Sequence, residues 1–298
     1  MSLEHYLEEL RHDSQPLKHS SLIVLSGLSG IELDVFKRHW GILSAERRRQ
    51  VLERMVELAE DNLELDFNAT FRVCLRDPDP DVREHAIAGL WECDDRSLIL
   101  PLINLLRWDE LERVRAAAAV ALGKFAALAV EEKLLPRDVQ RVLDALLEVV
   151  DGASEPLEVQ RRAIEAVARF PLERVTQIIQ RAYESDDPLQ RRSAIHAMGK
   201  SCDFAWLPTI LSELESSDAT MRYEVASACG EIGEQSAIPH LAQLLSDDDQ
   251  QVQLAAIQAL GLIGGRNTRR LLQGYLKVAD EALVEAMEEA LQRIGDEE

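Results

Sequence analysis

Aromatic side chains and long apolar runs are scarce in this 298-residue chain. Phe, Trp and Tyr make up 5% of the residues, so Ala and Leu must do most of the packing. No apolar run approaches the roughly 20 residues with which an α-helix crosses a bilayer. The four cysteines include no Cys-x-x-Cys pair, a pattern that favours buried free thiols over disulfides or zinc. We therefore expect a cytoplasmic protein without membrane segments.

Basic residues are also in short supply. The chain has 33 Lys and Arg against 54 Asp and Glu, a net charge of −21, which repels a phosphate backbone. General nucleic-acid binding is therefore disfavoured. The imbalance is uneven, because residues 155–200 contain eight basic and seven acidic residues, whereas residues 201–298 contain six and eighteen. A local basic island thus interrupts an acidic chain.

A helical pattern with small side chains occurs seven times. Each copy starts at an apolar or near-apolar residue that we name the anchor, and successive anchors are 32, 45, 31, 31, 31 and 31 residues apart. The anchors are Val82, Val114, Val159, Gln190, Met221, Val252 and Leu283. Near-constant spacing of this length is typical of stacked helix pairs. The sequence therefore predicts a solenoid with one helix pair per repeat.

The side chain seven residues after each anchor is always small. The series is Gly89, Ala121, Ala166, Ala197, Ala228, Ala259 and Ala290. A helix with Ala or Gly at the same turn in every copy lets its neighbour approach closely. We predict that the anchor-bearing helices, which are the second helices of the repeats, stack directly on one another.

Helix-start signals identify the first helix of each repeat. Pro101, Pro208 and Pro239 stand thirteen residues before their anchors, where proline marks the first turn of a helix. Acidic turns such as 77–80 and 246–249 follow, and their aspartates predict N-caps for the second helix.

Two stretches carry a recognisable family pattern. They are Asp77-Pro78-Asp79-Pro80-Asp81-Val82-Arg83 with Ala86, and Val114-Arg115 with Ala118, Ala121, Leu122 and Gly123. From about residue 62 onward the chain resembles the HEAT repeat family, and its short period is most similar to the phycobilisome-lyase-type subset. The resemblance implies an all-α fold, a right-handed α-α superhelix of about seven to eight helix pairs. It also implies that the second helices line a concave surface.

Two regions depart from the pattern. Residues 1–61 are predicted to form an atypical N-terminal cap and a degenerate repeat, in which Val51 takes the anchor position. Residues 62–298 would then be the regular repeat array. Its 45-residue step holds 14 extra residues near 124–137, which we expect to lengthen a helix by two or three turns.

Basic residues of the island recur at equivalent repeat positions. Together with an aromatic neighbour they form a set that we name the basic grid: Arg161, Arg162, Arg169, Arg192, His196, Lys200 and Tyr223. Equivalent positions on packed helices lie about 10 Å apart. The family resemblance would place the grid on the concave face, where it would bind an acidic peptide, a carboxylate or a phosphate, with plain surface charge as the alternative.

Other polar and aromatic residues have structural interpretations. The arginines that directly follow an anchor, among them Arg83 and Arg222, reach to acidic turn residues in similar repeats and are left out of the site. Trp91, Trp108 and Trp206 fall at repeat edges, where core or ridge packing is the expected role.

No catalytic chemistry is recognisable. There is no phosphate loop and no Ser or Cys nucleophile with a placed base. Deoxyhypusine hydroxylase, a HEAT-like iron enzyme, holds metal with repeated His-Glu pairs, and none of the seven histidines here precedes a glutamate. We therefore expect no catalytic residue, no metal and no cofactor.

The sequence thus favours a non-enzymatic scaffold or adaptor that binds a protein partner on its concave face. An acidic segment of that partner would suit the basic grid. One alternative is a phycobilin or tetrapyrrole lyase-like chaperone subunit. A second is a HEAT-like nucleic-acid-binding protein. The partner and the oligomeric state stay open at this point.

Overall fold

The structure is a computed structural model that describes residues 2–12, 16–62, 64–277 and 280–295. Within these ranges the chain forms eighteen α-helices and four short 3₁₀ segments, and it contains no β-strand. The α-helices are α1 (Leu3–Glu9), α2 (His19–Leu22), α3 (Gly30–Trp40), α4 (Ala45–Asp61), α5 (Asn68–Cys74), α6 (Pro80–Gly89), α7 (Ile99–Trp108), α8 (Glu112–Val130), α9 (Pro136–Asp151), α10 (Leu157–Val167), α11 (Glu173–Tyr183), α12 (Pro188–Lys200), α13 (Leu207–Ser212), α14 (Ala219–Ile232), α15 (Ile238–Leu244), α16 (Gln250–Ile263), α17 (Gly265–Tyr275) and α18 (Glu281–Gly295). The predicted all-α class is confirmed.

The chain divides into two compact units, Met1–Ala163 and Ile164–Glu298. Helices α1 to α9 belong to unit 1, helices α11 to α18 belong to unit 2, and the division falls within α10. The boundary predicted at residue 61, between a cap with a degenerate repeat and the regular array, lies inside unit 1 and stays a prediction.

Unit 1 contains the degenerate repeat and the first regular ones. Its second helices pack in chain order, α4 on α6 and α6 on α8, while first helices pack as α3 on α5 and α7 on α9. Val51 and Met55 of α4 are fully buried, in line with the predicted anchor position of Val51. Helix α1 packs on α3 and buries Tyr6 and Leu7.

Unit 2 stacks its second helices in the same way. Helix α12 packs on α14, α14 on α16 and α16 on α18, and each also packs on the first helix of its own repeat. The small residues seven after the anchors lie at these contacts, so Ala197, Ala228 and Ala259 are buried. This confirms direct stacking of the second helices within the unit.

In unit 2, each contact between second helices places a glycine of one helix against an alanine of the next. Nine residues after their anchors, Gly199, Gly230 and Gly261 face the small residue of the next second helix. A methyl group added at Gly199 would lie 2.6 Å from the Cα of Ala228. Non-bonded carbon atoms do not approach each other this closely. The two helix backbones therefore meet where neither helix can carry a larger side chain.

Aspartates of the acidic turns cap the second helices. The side chain of Asp79 accepts hydrogen bonds from the N–H groups of Asp81 and Val82 at the start of α6. Asp187, Asp218 and Asp249 cap α12, α14 and α16 in the same manner. These bonds satisfy backbone donors that have no partner inside the helix.

The extra residues of the 45-residue step are divided between two helices. Helix α8 ends at Val130, where Glu132 adopts a φ of 59° and the N–H of Lys133 donates to the carbonyl of Leu128. This Schellman closure stops the helix before the predicted two or three extra turns are complete. The remaining residues lengthen the start of α9, which begins at Pro136. The expectation that one helix takes up the insertion was therefore wrong.

Candidate functional site

Five members of the basic grid lie in unit 2. Arg192, His196 and Lys200 are on α12, and Tyr223 is on α14, which packs against α12. Arg169 lies two residues beyond the end of α10, in a turn. All five side chains are at least partly exposed.

Carboxylates from α14 lie among these cations. Glu231 Oε1 accepts a hydrogen bond from Lys200 Nζ, and its Oε2 lies 3.5 Å from an Arg169 guanidinium nitrogen. His196 Nδ1 lies 3.1 Å from Glu224 Oε2. The grid in unit 2 is therefore an alternating network of charge, with three permanent cations against two carboxylates, and its net positive charge is small.

Arg192 differs from the other grid cations. The residue is half-buried, and among the residues that the structure describes its guanidinium has neither a carboxylate within ion-pair distance nor a side-chain hydrogen bond. Tyr223 holds the same repeat position, two residues after its anchor, on the helix that packs against α12, and is 36% exposed. An arginine with no partner among the described residues, and an exposed tyrosine at the equivalent position of the neighbouring helix, form the combination in this grid that can receive an external anion.

The two remaining grid residues belong to the part of α10 in unit 1. Arg161 is only 4% exposed and forms an ion pair with Glu158 at 2.5 Å. Arg162 donates to the other oxygen of the same carboxylate at 2.8 Å. Arg161 therefore serves the interior of the repeat and does not present its charge on a surface, because a buried guanidinium needs an internal counter-charge.

The arginines that follow the anchors reach to acidic turns, as the resemblance implied. Arg83 donates to both carboxylate oxygens of Asp109 at 2.7 and 2.8 Å, and Arg222 donates to both oxygens of Asp247 at 2.7 Å. Hydrogen bonding to the Arg222 guanidinium lowers the pKa of the Asp247 carboxyl. These bidentate pairs tie consecutive repeats together and are structural.

The tryptophans at repeat edges do not all pack as expected. Trp206 is nearly buried, whereas Trp91 is 56% exposed and Trp108 is also exposed. Sequence position alone did not predict this difference, since all three tryptophans fall at repeat edges. Trp91 lines an apolar pocket in unit 1 that sequence reasoning missed.

Three further features of the described residues concern metal ligands, helix length and the cysteines. No three His, Cys, Asp or Glu side chains among them are grouped so that they could hold a metal ion. None of the helices that the structure describes is long and apolar enough to span a bilayer. All four cysteines are free thiols. Cys74 and Cys229 are buried, as predicted, whereas Cys93 is half-buried and Cys202 is exposed. Burial raises the pKa of the Cys229 thiol to about 12.

Several solved structures are similar to this chain. The Escherichia coli protein YibA is 16% identical with a TM-score of 0.44, and the match covers 85% of this chain and 98% of that one. Human deoxyhypusine hydroxylase in complex with glycerol is 18% identical with a TM-score of 0.39, covering 99% and 97%. An engineered protein from a structural genomics programme is 21% identical with a TM-score of 0.41, covering 66% and 96%.

The family of the chain follows from its sequence match. No curated protein matches the chain. The model of HEAT repeats matches residues 69–157 and 207–292, which together make up more than half of its length. This match does not distinguish the phycobilisome-lyase-type subset. With its stacked helix pairs and capping aspartates, the chain belongs to the HEAT repeat family.

Proposed function

We propose that this protein is a non-enzymatic scaffold that binds an acidic segment of a partner protein through the unit 2 part of the basic grid. HEAT repeats are typical of interaction scaffolds, because a stack of helices offers a long row of side chains at regular spacing. The observation that carries the proposal is Arg192, the grid cation without an internal counter-charge among the described residues.

Arg192 would make the central contact with the acidic segment. A guanidinium presents a planar set of N–H donors that matches the two oxygens of a carboxylate, and Tyr223 adds an apolar face with a hydroxyl group. Glu224 and Glu231 hold His196, Lys200 and Arg169 in place and limit the positive potential. A short acidic peptide can bind Arg192, whereas the continuous phosphates of a nucleic acid would meet both glutamates.

The test compares two charge reversals of equal size. Arg192→Glu reverses the charge at the proposed contact residue. Arg270→Glu reverses the charge of an exposed arginine on α17 that has no ion pair among the described residues. Purified variants and the unaltered protein would be used as baits in a lysate of the source cells, followed by quantitative mass spectrometry. We expect proteins that bind the unaltered chain and the Arg270 variant and bind the Arg192 variant at least about tenfold less.

Stability serves as the control for this comparison. Neither side chain has an ion pair or a side-chain hydrogen bond among the residues that the structure describes, so the melting temperatures should stay close to that of the unaltered protein. A set of captured proteins that is the same for all three baits would show that the grid is surface charge and not a docking site.

A tetrapyrrole lyase function remains as the competing proposal, since the motif around Asp79 and Val82 resembles the phycobilisome-lyase-type repeats. It predicts that the purified protein binds a bilin directly. A new visible absorbance band on mixing protein with bilin would favour the lyase over the scaffold.

A further inference from the structure

An apolar pocket opens between α6 and α8 in unit 1. Its volume is about 370 Å³, and its base is formed by buried side chains that include Leu90, Leu102 and Phe125. Trp91 and Val120 stand at its mouth and are 56% and 53% exposed. The volume lies near the lower end of the range of ligand pockets, which is about 300 to 1,000 Å³.

Small side chains on facing helices create the pocket. Ala117 and Ala121 of α8 and Ala88 of α6 line it, so that no long side chain fills the space in front of the base. Large apolar groups at the mouth are unusual for a surface that faces only water. The pocket therefore has the form of a socket for one bulky apolar group.

The surroundings of the pocket are acidic. Glu92 and Asp94 are exposed and have no ion pair among the described residues. The single lysine at the rim, Lys124, donates its Nζ proton to the backbone carbonyl of Trp91 at 2.8 Å, and burial lowers the pKa of its amine. Glu92 and Asp94 act on this amine in the opposite direction, and the three groups together carry a net negative charge at the rim.

Repeat register relates this pocket to the basic grid. Ala88 and Val120 stand six residues after their anchors, the position of His196, and Lys124 stands ten residues after its anchor, the position of Lys200. The helix face that presents His196 and Lys200 in unit 2 presents an apolar socket and Lys124 in unit 1, and Glu92 and Asp94 lie in the loop that follows α6.

We propose that this pocket binds one large apolar side chain of a partner protein segment whose flanking residues are lysine or arginine. The proposal rests on the proposed scaffold function and adds a second contact of opposite charge preference. An aromatic or leucine side chain can replace water over Leu90 and Phe125, which is the usual way in which a single residue anchors a peptide. Glu92 and Asp94 pair with the flanking cations, which can also stack on the exposed Trp91 ring.

A subtractive peptide-display selection on the full-length protein tests the proposal. Peptides of random sequence are selected on the unaltered chain and depleted on the Ala88→Phe variant, whose added ring fills the socket from an exposed position. The matched control is Ser227→Phe, which places the same ring at the equivalent repeat position of α14 in unit 2. Circular dichroism melts of both variants establish that they fold.

The expected enriched class has a Trp, Phe or Leu flanked by Lys or Arg. A synthetic peptide of that class should bind the unaltered chain and the Ser227 variant equally, and bind Ala88→Phe at least about tenfold less. The double variant Glu92→Lys with Asp94→Lys changes no packing, and it should weaken the peptide several-fold and reduce the salt dependence of binding.

Other outcomes would overturn the proposal. Enriched peptides that are acidic, or that bind Ala88→Phe as well as the unaltered chain, do not use this pocket, and a selection that enriches nothing shows that the socket takes no peptide. Self-association in analytical ultracentrifugation that Ala88→Phe abolishes would make a second copy of the chain the occupant. A parallel selection depleted on Arg192→Glu separates the two proposals, because acidic peptides lost there would support the scaffold function even where the pocket fails.

Discussion

The glycines at the helix contacts of unit 2 lead to the sharpest prediction about stability. A methyl group added at Gly199, Gly230 or Gly261 would lie 2.6, 2.8 or 2.9 Å from an atom of the next second helix. At Gly199 and Gly230 that atom is a backbone Cα, which cannot move without the helix, whereas at Gly261 it is the Cβ of Ala290. We therefore expect Gly→Ala to cost most at Gly199 and least at Gly261.

Two opposing effects set the magnitude. Alanine favours a helix over glycine by about 0.5 to 1 kcal/mol, whereas overpacking a tight contact costs about 1 to 3 kcal/mol. Overpacking wins at a backbone contact, so Gly199→Ala should lower the free energy of unfolding by about 1 to 2 kcal/mol. In Gly261→Ala the two effects come close to cancelling.

Gly274 provides the matched control. It lies in α17, and a methyl group there would meet no atom within 4 Å, so Gly274→Ala should leave stability unchanged or raise it. Urea denaturation followed by far-UV circular dichroism measures all four variants against the unaltered protein.

The reasoning fails if Gly199→Ala is as stable as the unaltered protein, or if it behaves like Gly274→Ala. Either result would mean that α12 and α14 are farther apart than the structure places them. A loss of equal size at all three contact glycines would show that a methyl group costs the same whether it meets a backbone Cα or a side-chain Cβ.

Two further predictions concern a charge pair and a turn. Because the pKa of Asp247 is lowered in the folded state, its pairing with Arg222 contributes fully at neutral pH and is lost as the pH falls below about 4. Stability measured from pH 7 to pH 3 should therefore fall less in Asp247→Asn than in the unaltered protein, and parallel curves would contradict this. Gly233 ends α14 with a φ of 76°, so Gly233→Ala should cost about 1 to 2 kcal/mol in a thermal melt. Gly233→Asn should cost less, since asparagine tolerates this conformation; equal losses would contradict the explanation.

The repeat could be predicted because its signals are local or periodic. Anchor spacing, small residues seven positions later and capping aspartates such as Asp79 and Asp249 can all be recognised within one or two turns of chain. The division of the insertion between α8 and α9 was not predicted. It depends on the left-handed conformation of Glu132, a residue type that gives little indication of such a turn.

For the basic grid, the sequence predicted the helix positions of the residues but not their ion pairs or their burial. The register correctly placed His196 and Lys200 on one helix and Tyr223 on the next. It did not reveal that His196 pairs with Glu224 and Lys200 with Glu231. It also did not reveal that Arg161 is buried. The pairs with the glutamates depend on how far each side chain reaches across the contact between α12 and α14, and the burial of Arg161 depends on tertiary packing that its local pattern does not encode.

The sequence by itself determined that this chain is a stack of helix pairs, because small residues at a constant interval permit one close packing of neighbouring helices. Only the tertiary structure decided which charges remain unpaired and which apolar groups stay exposed. Arg192 and Arg161 stand at the same position of their repeats, yet one lacks an internal partner among the described residues and the other is buried beside Glu158. The Arg161–Glu158 pair is local, since the two residues are three apart in one helix. Burial, and pairs such as Lys200 with Glu231, depend on the packing of side chains that are far apart in the sequence, and composition and spacing do not encode those distances directly.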